Sequence, residues 1–116
     1  MEFIALLSDN QESWSQVSGL IKNGEWEKAV LVKDEFGGDF PSYPNVEIIS
    51  ISSTEKLVEL KETLVKKLSS KFKGTEVALS IASGSGKEHM ALISALLSLP
   101  VGIRFVAMTK QGIVYL

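Results

Sequence analysis

Val77 to Met90, V-A-L-S-I-A-S-G-S-G-K-E-H-M, constrains the fold of this chain more than any other stretch. The apolar run Val77 to Ala82 reads as a buried strand. Ser83-Gly84-Ser85-Gly86 breaks it, and Lys87, Glu88, His89 and Met90 open an apolar helical run. A strand, a turn of small residues and a helix together present free backbone N–H groups and a positive helix end, an arrangement suited to an anion.

The rest of the chain supplies neighbours for that unit. Phe3 to Leu7 is continuously apolar, as a strand buried on both faces of a parallel sheet would be. Ser8-Asp9-Asn10 follows, and both Ser8 with Gln11 and Asp9 with Glu12 have capping-box spacing. Trp14, Val17 and Ile21 recur at helical spacing, and Asn23-Gly24 ends that first helix. Lys28 to Lys33 is a second strand and Val46 to Ser50 a third. Glu35 to Asn45, with Gly37-Gly38, Pro41 and Pro44, is a long loop suited to covering a site. A hairpin would join the two strands directly. A parallel pair with an irregular crossover is preferred, because both runs are strongly apolar and helices flank them. Ser52-Ser53-Thr54-Glu55 reads as a capping box. The helix it opens carries Leu57, Leu60, Leu64, Leu68 and Phe72 on one stripe, with Val58 and Val65 beside it, and ends at Gly74. After the central strand and turn, the helix from Lys87 to Leu99 is apolar nearly all round. That pattern predicts burial on two sides, one against the sheet and one against a second subunit. Ile103 to Met108 and Ile113 to Leu116 close the chain as a hairpin around Thr109 to Gly112. The expectation is a single α/β domain over residues 1–116. It is Rossmann-like and three-layered, with strand order 3-2-1-4-5 and an antiparallel sixth strand.

The bulk properties exclude several functions. A chain of 116 residues with formal net charge −2 does not bind duplex DNA through its overall charge. With no cysteine there are no disulfides and no thiolate metal sites, which fits a cytoplasmic location. The longest apolar run, Met90 to Val101, is too short for a membrane span and is interrupted by Ser and Pro. No His/Asp/Glu cluster suggests a metal, no Ser-His-Asp set is visible, and no cofactor is expected. A phosphate loop fails, because the first Gly position of that motif is Ile81 and Glu88 stands where Ser or Thr is needed. The dinucleotide fingerprint fails too, since the turn after the first strand lacks glycine.

What remains is a crevice beyond the carboxyl ends of strands one and four, rimmed by Ser8-Asp9-Asn10 and Ser83 to Lys87. Ser8 and Asp9 serve equally well as caps, and Gly84 and Gly86 suit the turn's backbone. A cation such as Lys87 in the first helical turn opposes the helix dipole by ~0.3–1 kcal/mol unless an anion offsets it, although Glu88 stands beside it. His89, the one histidine, suits a surface or cap position better than catalysis.

The sequence resembles the CARF domains, the CRISPR-associated Rossmann-fold sensors. The resemblance runs through the whole element order. It is concentrated in S-G-S-G-K-E-H-M, the Ala/Leu-rich helix after it, and I-R-F-V-A-M-T-K-Q-G-I-V-Y-L. It implies a homodimer, joined through the helix 87–99, that binds a cyclic oligoadenylate. Ser8, Asp9, Asn10, Ser83, Gly84, Ser85, Gly86, Lys87 and His89 would line the ligand. Some members of that family cleave the ring, which implies a metal-independent alternative. There Ser8 would orient the ligand's 2′-hydroxyl, and Lys87 with the N–H groups of Ser85 and Gly86 would stabilise charge. Most members continue into an effector domain, whereas this chain ends at Leu116. The resemblance therefore implies a stand-alone domain, a relative kept for structure without the pocket, or a fragment.

Overall fold

The computed structural model describes every residue except Phe36 and Gly37, so the Gly37 part of the 35–45 loop lies outside the described residues. The elements are β1 (Glu2–Leu7), a 3₁₀ turn (Gln11–Ser13), α1 (Trp14–Asn23), β2 (Ala29–Asp34), β3 (Val46–Ile51), α2 (Leu57–Leu68), β4 (Glu76–Ser80), α3 (Gly86–Leu97), β5 (Gly102–Thr109) and β6 (Gly112–Tyr115).

They form one six-stranded sheet in the order β3-β2-β1-β4-β5-β6. β1 pairs in parallel with β2 and β4, setting Phe3 opposite Ala29 on one side and Ala78 on the other. β3 runs parallel to β2, so the crossover reading holds and the hairpin does not. β5 is parallel to β4, and β6 returns antiparallel. The fold is the expected α/β arrangement.

Alternation along the strands sorts side chains into two cores. Ile4, Leu6, Val30, Val32, Val77 and Leu79 meet Leu60, Leu64 and Leu68 of α2 and Leu92 and Leu96 of α3. On the other face, Phe3, Ala5, Leu7 and Leu31 meet Trp14, Val17 and Leu20 of α1. Phe40, from the 35–45 connection, completes that second core and packs its ring against Trp14 and Tyr43. Among the described residues no helix is long and apolar enough to cross a membrane.

Several local expectations are corrected. The residue whose side chain caps the first helical segment is Asn10, whose Oδ1 accepts from the Glu12 N–H at 3.1 Å, and neither Ser8 nor Asp9 serves. Ser52 to Glu55 forms no capping box. Ser52 Oγ pairs with Thr54 Oγ1, Glu55 accepts from Thr63 Oγ1, and α2 starts after an extended Lys56. Val58 is 66% exposed, so it points away from the stripe that buries Leu60 and Leu64. β4 stops at Ser80, two residues early, leaving Ile81 exposed. Leu92 and Leu96 are fully buried within the chain's own core, so they are not available to a second subunit. The outward residues of α3 are Met90 and Leu97, 58% and 71% exposed.

Leu64 and Val58 therefore respond differently to truncation. Leu64→Ala lowers unfolding stability by about 2–5 kcal/mol, through lost burial and a residual cavity. Val58→Ala changes it by less than about 0.5 kcal/mol. Urea denaturation of the two variants checks this.

Candidate functional site

The chain leaves the carboxyl end of β1 toward α1 on one face of the sheet. It leaves the adjacent end of β4 toward α3 on the other. The two exits diverge, and this topological switch point is where ligands settle in open parallel sheets. The rim residues expected from the sequence are brought together here, joined by one side chain that the sequence did not single out.

That side chain is Ser13. Its Oγ lies 2.7 Å from Ser83 Oγ and 3.0 Å from Ser8 Oγ, and it donates to the Asn10 carbonyl at 2.7 Å. The Ser8 N–H donates to Ser83 Oγ at 2.9 Å, and the Asn10 N–H donates to Ser8 Oγ at 3.1 Å. One proton arrangement satisfies the set: Ser83 donates to Ser13, Ser8 donates to Ser13, and Ser13 donates to Asn10. Ser83 is 2% exposed. Ser8 and Ser83 thus tie the two loops to each other. Trp14 reinforces the tie by donating its indole N–H to the Ser8 carbonyl at 2.7 Å. Asn10 is exposed and occupied with its cap, and Asp9 is exposed, presenting a negative charge beside the rim.

The turn after β4 is shaped by Gly84, whose φ of 109° lies where L side chains are strained. A Cβ there would come within 3.0 Å of His89 Nε2 and 3.1 Å of Leu6 Cβ. Ser85 and Glu88 form a reciprocal capping box. Ser85 Oγ accepts from the Glu88 N–H, and a Glu88 carboxylate oxygen accepts from the Ser85 N–H at 2.9 Å. This S-x-x-E spacing was legible in the sequence but was not read there. It takes the Ser85 N–H out of the set of donors expected to face a ligand. Among the described residues nothing accepts from the N–H groups of Gly86 and Lys87, and they remain the open donors of α3. Among the described residues nothing lies within 4 Å of where a Cβ on Gly86 would be.

Lys87 is exposed, and its Nζ donates to the Ser53 carbonyl at 2.9 Å. The Ser53 N–H in turn donates to Asp34 Oδ2 at 2.9 Å. Among the described residues no carboxylate pairs with Lys87. Asp34 and Lys33, at the carboxyl end of β2, are 6% and 8% exposed. His89 is half-buried, yet both ring nitrogens are inaccessible and lack hydrogen-bond partners. Burial lowers its pKa from the ordinary value, with the Ser83 backbone and the Glu88 carboxylate pulling partly back. No group of three or more acidic or His side chains that would hold a metal gathers among the described residues.

Two clefts lie near or opposite this rim. One of about 310 Å³, mostly apolar, separates Ile81 and Ala82 from Phe105 to Met108, with Gln16 and Leu116 at its edges. The larger, about 470 Å³, sits at the amino ends of the strands among Glu2, Lys28, Glu47 and Lys71. There the hydrogen bond from Lys71, aided by Lys28, holds Glu47 below the usual carboxylate range. Neither cleft is lined by Ser8 to Asn10 or by Ser83 to Lys87.

The two glycines of the turn have opposite sensitivities. Gly84→Ala, forced into a strained φ against His89 and Leu6, costs about 1–3 kcal/mol. Gly86→Ala, with open space at a helical position, is neutral or stabilises by up to about 1 kcal/mol. Thermal or urea unfolding separates them.

No protein-family model matches this chain, and no curated protein sequence is significantly similar to it.

Proposed function

We propose that this chain is a CARF-like sensor domain that works in the cytoplasm as a homodimer and binds a cyclic oligoadenylate at the switch-point crevice. The observation that carries the reading is the open end of α3. Gly86 and Lys87 offer unpaired N–H groups, the Lys87 ammonium has no carboxylate partner among the described residues, and the space above Gly86 is empty. A glycine in the first helical turn costs up to about 1 kcal/mol relative to alanine. No steric neighbour calls for one here, whereas close approach of a phosphate would. Gly84 and Ser85 shape the turn, and His89 supports it from below. Ser8, Asn10 and Ser83 set the distance between the two loops. Asp9 faces the ligand's hydroxyl or base edges, since its charge opposes phosphate.

The dimer reading rests on Met90, Ile93 and Leu97. They recur at i, i+3 and i+7 on α3, with Met90 and Leu97 exposed and Ile93 partly buried at the edge of the core. A two-fold contact through this stripe sets two crevices side by side, as a ring-shaped ligand requires.

Binding is favoured over ring cleavage. Cleavage by the ligand's own 2′-hydroxyl needs a group to align it and donors for the developing charge. Ser8 is committed to Ser13 and Asn10, and the Ser85 N–H is committed to Glu88. Only the Gly86 and Lys87 donors remain from the expected set. The structural-subunit alternative, a fold retained without a pocket, gains support if no oligoadenylate binds.

Calorimetry with cyclic tetra-adenylate and related oligoadenylates tests this. Wild type binds, and Lys87→Ala weakens binding about ten- to a hundred-fold by removing a charge-assisted bond. Gly86→Leu blocks binding without lowering the unfolding midpoint. Labelled ligand incubated in chelator stays intact. Heat for none of these ligands overturns the binding reading, and cleavage in chelator restores the nuclease. Light scattering gives a dimer at micromolar concentration and a folded monomer for Leu97→Glu. A wild-type monomer ends the dimer reading.

A further inference from the structure

We propose that His89 is a pH-sensitive support for the Ser83–Ser85 turn: neutral, it holds the turn closed against β1, and protonated, it lets the turn open and withdraws Ser83 from Ser8. The inference rests on packing and holds whether or not the crevice binds an oligoadenylate.

The imidazole lies under the turn. Gly84 is so close that a Cβ on it would sit 3.0 Å from His89 Nε2, and the same Cβ would touch Leu6 on β1. Both ring nitrogens are sealed from solvent and make no hydrogen bond. A neutral ring leaves one donor and one acceptor unpaired in that position. An imidazolium would leave two donors and a full charge, which is far more costly.

The Ser83 backbone favours the protonated ring, but neither ring nitrogen makes a hydrogen bond, and among the described residues the neighbouring elements place no counter-charge against it other than Glu88. β1 presents Leu6, and its one charged residue, Glu2, is at the opposite end of the strand. The turn Ile81 to Ser85 contains no charged residue. α2 meets this core through Leu60 and Leu64, and β5 through Ile103 and Phe105. Arg104 of β5 lies over the Tyr115 ring. On α3 itself, Lys87 reaches to Ser53, and the Glu88 carboxylate is held by the Ser85 N–H. The Ser83 backbone and, less strongly, Glu88 still attract a proton toward the ring, but burial is the larger effect and the net direction is downward.

The sign follows from linkage. With the folded-state value below the ordinary one, the opened turn binds the proton more tightly. The closed turn keeps its full stability above the ordinary histidine value of about 6.5 and loses it as pH falls toward the depressed one.

The test is NMR on the full chain between about pH 7.5 and 5.5, a range that spans the ordinary histidine value. The His89 ring resonances should titrate with a midpoint below that of an unfolded-chain histidine. Amide exchange at Ser8 and Ser83 to Gly86, corrected for intrinsic rates, should accelerate across the range. The acceleration should approach about tenfold for each unit between the two midpoints. His89→Gln should remove the acceleration. A ring that titrates at or above the ordinary value overturns the proposal, and this measurement needs no variant. So does exchange that is unchanged with pH, or acceleration that persists in His89→Gln.

Discussion

The structure depends on the burial of β1. All six of its residues are sealed from solvent, with parallel partners on both edges and a core on each face. Ile4 and Leu6 feed the core under α2 and α3, while Phe3, Ala5 and Leu7 feed the core under α1. A strand so enclosed cannot slip by one residue without exchanging both cores at once. Even its one carboxylate is held: Glu2 Oε1 accepts from the Lys73 and Gly74 N–H groups at 2.9 and 2.8 Å, so the buried charge is hydrogen-bonded. With β1 fixed, the chain leaves β1 and β4 toward opposite faces of the sheet, and the two exit loops meet at its carboxyl end.

Small polar groups join the loops at that end. The hydroxyls of Ser8, Ser13 and Ser83 bridge loops that are distant in sequence, and each such bond contributes about 0.5–1.5 kcal/mol net. The cluster draws the β1 and β4 exits together and turns the remaining donors outward. The open N–H groups are those of Gly86 and Lys87 on α3, beside a cation whose hydrogen bond is to a carbonyl. The loops are thus joined at their base by serines, with two open N–H groups, the Lys87 ammonium and the Asp9 carboxylate exposed around them.

The sheet was legible because burial on both faces writes itself as continuous apolar runs, as in F-I-A-L-L and V-A-L-S-I. The stripe of Leu60, Leu64 and Leu68 was legible for the equivalent helical reason. Capping was not. Two S-x-x-E segments, Ser52 to Glu55 and Ser85 to Glu88, look alike, yet only the second forms the box. Thr54 and Thr63 capture the side chains of the first, and those partners are fixed by backbone geometry. In S-D-N each residue has capping chemistry, and the choice of Asn10 goes with the burial of Trp14 on the Ser8 carbonyl. α3 was ambiguous because a helix apolar on every side does not declare which side meets the sheet. Leu92 and Leu96 turned inward and Met90 and Leu97 outward. Ser13 could not be found from spacing, since its partner Ser83 is seventy residues away.

The central claim, that a hydroxyl cluster joins the two loops at the switch point, is tested most directly by a double-mutant cycle on Ser13 and Ser83. Ser13→Ala, Ser83→Ala and the double variant are unfolded in urea, and the pairwise term is taken from the three stability losses. Contact at 2.7 Å predicts a coupling between about 0.5 and 3 kcal/mol, with the double variant losing less than the sum of the two single ones. Losses that add to within about 0.3 kcal/mol would contradict the account, because independent hydroxyls cannot be holding the loops together.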